Sequence, residues 1–186
     1  MNSNDYSICV YCGSREGTEP SYSVAAEELG KAIADNGCRL VYGAGDIGLM
    51  GKVATATLAA GGVTFGVIPQ HLVAREVAKS DLTTIVVTET MHERKKVMVM
   101  NSDAIAVLPG GYGTLDEFFE VLTWKHLGLH CKPIVLINID GFWDPLVTLF
   151  RHVADQRFAD TELAESIIVA DSVAEAIPAL LNNWSA

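Results

Sequence analysis

The chain has no apolar run approaching the ~18–20 residues that a membrane-spanning helix requires, although 49% of its 186 residues are hydrophobic. Its opening Met-Asn-Ser-Asn-Asp-Tyr has neither the basic region nor the apolar stretch of a signal peptide. Positive charge is scarce. Thirteen Lys and Arg face 23 Asp and Glu, a formal net charge of −10, whereas a nucleic-acid binder holds phosphate backbones with surplus Lys and Arg. The expectation is a soluble, cytoplasmic protein with no nucleic-acid or membrane partner. One small anionic ligand stays compatible, because a local pocket can be positive on an acidic protein. Cysteine is also sparse: the four include one C-x-x-C, Cys9 and Cys12, and no second pair that would complete a zinc site. A redox pair of the thioredoxin kind would open a helix, but Ile8-Cys-Val-Tyr-Cys12 reads as a strand, so both thiols are expected as small core residues. His126 and His130 stand i, i+4, yet no Glu lies between them and Gly128 signals a helix end. No metal is expected.

What the chain does have is alternation. Short apolar runs recur at residues 6–12, 38–42, 63–68, 83–88, 104–108, 134–139 and 167–169. Between them lie segments with helical periodicity, at about 20–35, 48–60, 91–102, 114–127, 143–155 and 173–181. Pro20 suits a first helical turn, Val24, Leu29 and Ile33 form an apolar stripe, and Gly37 is a stop. Strands alternating with helices predict one α/β domain over residues 1–186. Its architecture would be Rossmann-like and doubly wound, with a mainly parallel sheet of six or seven strands and helices on both faces. In such sheets ligands bind beyond the C-terminal strand ends. That brings together the loops at residues 11–18, 43–51, after 68 and 109–113. Trp124, Trp143 and Met98 are expected to pack in the core.

The densest signal is Asp103-Ala-Ile-Ala-Val-Leu-Pro-Gly-Gly-Tyr-Gly-Thr-Leu-Asp-Glu117. An apolar strand ends at Pro109, and Gly110, Gly111, Tyr112, Gly113 and Thr114 lead into a helix. Unpartnered N–H groups and the positive end of the helix dipole suit a phosphate there. Glycine lets the backbone come close to an anion and adopt positive φ, and the Thr114 hydroxyl adds a donor. Glu117 falls about one turn, roughly 5.4 Å, into the helix. It fits equally as a first-turn acid complementing the dipole, worth up to about 1 kcal/mol.

The loop Tyr42-Gly-Ala-Gly-Asp-Ile-Gly-Leu-Met-Gly51 contains a formal G-x-G-x-x-G at Gly43, Gly45 and Gly48. It follows the second strand, and Ile68-Pro69 stands where a dinucleotide site would place its acid. Close packing or contact with a mononucleotide fits better than NAD. In Met91-His-Glu-Arg-Lys-Lys-Val97, successive residues lie about 100° apart on a helix. One inward cation with solvated lysines is therefore expected, and Arg94 is the choice because its guanidinium can grip oxygens in bidentate fashion.

Met91-His-Glu-Arg-Lys95 with Pro109-Gly-Gly-Tyr-Gly-Thr-Leu-Asp-Glu117 resembles the Lonely Guy family, whose signature is PGGxGTxxE. The likeness extends to Val10-Tyr-Cys-Gly-Ser14, Gly48-Leu-Met-Gly51, Gly66-Val-Ile-Pro69, Arg75-Glu-Val77 and Leu122-Thr-Trp124. Ala44 departs from it, standing where the family usually has glycine. The resemblance implies a cytokinin-activating phosphoribohydrolase, a homodimer that cleaves N6-modified adenosine 5′-monophosphates into free base and ribose 5-phosphate without a cofactor. Arg94 and Glu117 would be catalytic. Glu76, Lys95, the 111–117 segment and Thr123 would contact the nucleotide, and Gly13, Ser14, Gly43 and Gly45 join them from the neighbouring loops. A non-catalytic nucleotide or molybdenum-cofactor carrier is the alternative. Lysine decarboxylase, a label often given to this family, finds no lysine here in a recognisable Schiff-base context.

Overall fold

The computed structural model describes residues 6–73, 79, 81–160 and 166–182. Seven strands, β1 (Ser7–Tyr11), β2 (Arg39–Tyr42), β3 (Val63–Pro69), β4 (Thr84–Thr88), β5 (Ala104–Val107), β6 (Ile134–Ile137) and β7 (Ile168–Ala170), form one sheet. Their order is β4-β3-β2-β1-β5-β6-β7, and every pairing is parallel. The helices are α1 (Pro20–Asp35), α2 (Gly48–Ala59), α3 (Met91–Met100), α4 (Tyr112–His126), α5 (Asp144–Asp155) and α6 (Val173–Asn182).

The chain winds outward from β1 to β4, returns, and winds outward again from β5 to β7. Because parallel crossovers are right-handed, reversing the winding direction moves the connecting helices to the opposite face. Accordingly Ile8 and Val10 pack with residues of α1, α2 and α6, while Cys9 and Tyr11 pack with α3, α4 and α5. With both faces covered, β1, β5 and β6 are buried at every position, which is why their sequences show no alternation. Leu29 and Ile33 of α1 are wholly buried, each contributing about 1.5–3 kcal/mol of transfer free energy. Val24 does not share that stripe and is exposed. Met98 and Trp143 are buried, whereas Trp124 is half-buried. No helix among the described residues is long and apolar enough to cross a membrane.

The helix ends differ in a way that matters for the site. A capping box closes α3: Thr90 Oγ1 accepts from the Glu93 N–H at 3.2 Å, and Glu93 accepts from the Thr90 N–H at 3.1 Å. At α4, Gly111 is the N-cap and no side-chain cap hydrogen bond is made among the described residues. The helix also begins at Tyr112, two residues before its expected start at Thr114.

Candidate active site

The winding reverses between β1 and β5, and a doubly wound sheet splits open there at its C-terminal edge. The loops leaving those strands are stitched together. The Leu108 N–H donates to the Tyr11 carbonyl at 2.9 Å, and the Gly13 N–H to the Pro109 carbonyl at 3.0 Å. The Leu49 N–H reaches the Gly13 carbonyl at 3.0 Å, so the start of α2 joins the same knot. Gly48, at φ 60°, packs so closely on the backbone of Ser14 and Arg15 that no Cβ would fit. The formal dinucleotide fingerprint is thus a packing device at this position. Above the knot lies a cavity of about 630 Å³, a nucleotide-sized volume. Gly13 and Ser14, Leu49 and Met50, Leu72, and the 110–114 segment all line it, so the four expected loops do converge.

The three glycines of the loop after β5 have distinct reasons. A Cβ on Gly110 would overlap the Thr114 side chain, so the protein's own packing demands glycine there. At Gly111 and Gly113 a Cβ would meet nothing within 4 Å, and neither has a positive φ. The expected use of positive φ is not realised at these positions. Nothing among the described residues requires their bareness, and both border the cavity beside the uncapped first turn of α4. Tyr112 between them also lines the cavity and is 92% exposed.

Arg94 enters from α3, 4% exposed, as the inward cation that helical spacing leads one to expect. Its Nε donates to the Val67 carbonyl at 3.1 Å and its Nη2 to the Gly43 carbonyl at 2.8 Å. These bonds hold the guanidinium plane at the C-terminal ends of β3 and β2, with Arg94 among the cavity walls. Gly43 and Gly45, read from sequence as nucleotide contacts, do not line the cavity. A Cβ on Gly43 would overlap Arg94 Nη2, and Gly45 is packed on Met50. Gly43 therefore seats the arginine.

Glu117 is buried to 9% exposure and borders the same cavity from α4. As the sixth residue of the helix it lies beyond the first turn, which carries no acid, so complementing the helix dipole does not account for it. Cys12 lies on the cavity wall. Burial, then the Glu117 charge, then Cys9 drive its thiol well above the ordinary range, while Arg94 pulls it down. This disfavours the thiolate that a nucleophile would require. Cys9 faces the opposite layer from Cys12, in line with the small-core-residue reading of both. His130 Nε2 is hydrogen-bonded to the Val121 carbonyl at 2.9 Å, and no metal-holding group of His, Cys, Asp and Glu occurs among the described residues.

Two expected contacts lie elsewhere. Lys95 is not a solvated neighbour of Arg94: only 5% exposed, it bridges Asp116 at 3.0 Å and Glu120 at 3.2 Å and does not line the cavity. Helical rotation by one residue carries it from the sheet toward α4. Thr123 is exposed and its hydroxyl donates to the Phe119 carbonyl at 2.7 Å. Glu76 lies outside the described residues. Conversely, Arg15, Tyr22 and Phe142 line the cavity without having been singled out in the sequence; only Arg15 was within reach, being adjacent to the quoted Gly13-Ser14. Ala44 adopts φ 61°, a left-handed conformation costing alanine about 1–2 kcal/mol.

For Lys95, burial alone would depress the ammonium pKa, but its hydrogen bonds to the Asp116 and Glu120 carboxylates outweigh it and hold the group above 10.5. A pKa raised on folding contributes stability that is fully present below the unfolded value and is lost as pH rises through the folded one. Lys95→Met is expected to cost about 1–2 kcal/mol at pH 7, a figure discounted for the exposure of Asp116. Urea midpoints measured across pH should show this gap closing once the pH passes about 10.5.

Comparison with known proteins accords with this geometry. A cytokinin riboside 5′-monophosphate phosphoribohydrolase of Oryza sativa subsp. japonica is 45% identical over 170 residues, 91% of this chain and 70% of that protein. The chain belongs to the Lonely Guy family. A relative of the same name from Rhodococcoides fascians is 44% identical over 94% of this chain and 88% of its own length. The matching family profile, described as possible lysine decarboxylase, spans residues 50–180. Its description names a chemistry that the relatives' names do not, and no lysine lines the cavity among the described residues. Among solved structures, the molybdenum cofactor carrier protein of Chlamydomonas reinhardtii superposes with a TM-score of 0.76 at 27% identity, covering 97% of this chain and 98% of that one. Carrier and hydrolase thus share this fold.

Proposed function

We propose that this protein hydrolyses the N-glycosidic bond of adenosine 5′-monophosphates, N6-modified ones included, releasing the free base and ribose 5-phosphate. The observation that carries the reading is one cavity bounded by the uncapped start of α4, the sheet-anchored Arg94 and the buried Glu117. A carrier needs the first of these and has no use for a carboxylate beside the sugar.

The chemistry follows from charge. As the bond between C1′ and the base nitrogen breaks, its electron pair leaves with the base and positive charge builds on the ribose. A carboxylate beside that ring stabilises the transition state more than the ground state. Glu117 supplies it and takes a proton from the water whose oxygen attacks C1′, while the departing base nitrogen takes up a proton from solvent. The Gly110–Thr114 segment holds the 5′-phosphate, and Arg94 fixes phosphate or sugar so that C1′ lies against Glu117. Such positioning is worth several kcal/mol, up to roughly 7–11 in ideal cases. Incubating purified protein with AMP and with N6-isopentenyl-AMP and separating the products by chromatography tests this. Free base supports the hydrolase; intact, bound nucleotide supports the carrier.

The working form is a cytoplasmic homodimer. α5 sends only Leu146 fully into its own core, and exposed Phe119 and Leu149 flank Phe150 on the outer side of α4 and α5. This unpartnered apolar face suits a second copy. Phe119→Asp should shift the mass measured by light scattering from dimer to monomer; an unchanged dimer would place the interface elsewhere.

A further inference from the structure

Among the described residues, one cation bordering the cavity has no protein partner. Arg94 has donors bound to two backbone carbonyls. Arg15 lines the same cavity, is exposed, and makes no hydrogen bond or ion pair among the described residues. Its backbone is nevertheless pinned. Gly48 closes on the Ser14–Arg15 peptide from behind, and Gly13, two residues earlier, is bonded to the Pro109 carbonyl and would touch Gly110 Cα at 3.4 Å if it carried a Cβ. Arg15 thus rises from a fixed backbone that lies beside the Pro109–Gly110 loop leading into the bare glycines and the uncapped turn of α4. Its acidic neighbour Glu16 is engaged with Ser23 at 3.2 Å and Lys52 at 3.9 Å, and so does not neutralise it.

We infer that Arg15 is the residue that selects a phosphate monoester dianion, closing over the 5′-phosphate from the side opposite the α4 backbone and distinguishing nucleotide from riboside. Backbone N–H groups supply directed hydrogen bonds but only partial charge. Two full negative charges also call for a full positive one, and a guanidinium grips phosphate oxygens in bidentate fashion. Arg15 holds the monoester; it takes no part in breaking the glycosidic bond. This assignment rests on the proposed nucleotide site and deepens it by naming what enforces the phosphate requirement.

The test is Arg15→Ala with Arg15→Lys beside it. Because the side chain is exposed, both variants should melt with the parent protein. Arg15→Ala should raise KM for AMP about tenfold or more while leaving kcat within about threefold. It should weaken inhibition by ribose 5-phosphate in parallel and leave inhibition by free adenine unchanged. Arg15→Lys should recover most of the loss. A purely structural role would move adenine and ribose 5-phosphate together. Unchanged affinity for ribose 5-phosphate in Arg15→Ala, or an equal loss for adenine, overturns the assignment. Calorimetric titration of ribose 5-phosphate into the parent protein and Arg15→Ala needs no turnover. A protein that releases no base but loses this binding on substitution would refute the hydrolase reading and uphold Arg15.

Discussion

Glu117→Gln should bind AMP with an affinity within about threefold of the parent protein while kcat falls about 10³-fold. Glutamine keeps the size and one oxygen of the side chain, so the wall of the cavity is preserved. What it loses is the negative charge that opposes the growing charge on the ribose, together with the ability to accept a proton from water. Folding should not suffer, because removing a charge from a site 9% exposed removes a desolvation cost as well. Single-turnover base release followed by chromatography, with calorimetry for binding, separates the two effects. Near-normal release would remove Glu117 from the chemistry, and loss of binding with unchanged turnover of bound nucleotide would make it a contact only.

The second large effect comes from a residue outside the cavity. Gly43→Ala should lower kcat about 100-fold, because the added methyl occupies the place of Arg94 Nη2 and a shift of about 1 Å in a positioning group can cost that much. Overpacking of this kind should also lower stability by about 1–3 kcal/mol, read from urea unfolding. The discriminating comparison is with Arg94→Ala. If Gly43 acts by seating the arginine, adding Gly43→Ala to Arg94→Ala should cost little further activity, since the group it displaces is already gone. Independent, multiplying losses would instead place Gly43 in direct contact with substrate.

The fold was legible because strands covered on both faces must be apolar throughout and the intervening segments carry helical periodicity; β1, β5 and β6 meet that rule at every position. The glycine loop that borders the cavity was legible for a local reason, a strand, a glycine loop and a helix in succession. Harder to read was anything set by contact between distant segments. Whether Lys95 faces water or Asp116 depends on how α4 lies against α3, 21 residues apart in sequence. Gly43 looks like a ligand loop until the side chain of Arg94, 51 residues later, is seen bonded to its carbonyl. Val24 faces solvent because, five residues before Leu29, it lies about 140° round the helix from that buried side chain. The start of α4 at Tyr112 was missed since glycine on either side is a poor helix former; here tertiary placement overrides propensity.

The two carbonyls that hold Arg94 belong to the edge of the sheet, at Val67 and just past Tyr42. Although the residue is borne by a helix, its charge is thereby moored to the sheet. Partial unravelling of α3 in the heat should leave the cation in register with its carbonyl anchors, so turnover should decay with the cooperative melting of the β-structure and not with earlier fraying of that helix. Lysine could reach two carbonyls only from a single nitrogen, and without a flat fork it would not fix the plane of the charged group.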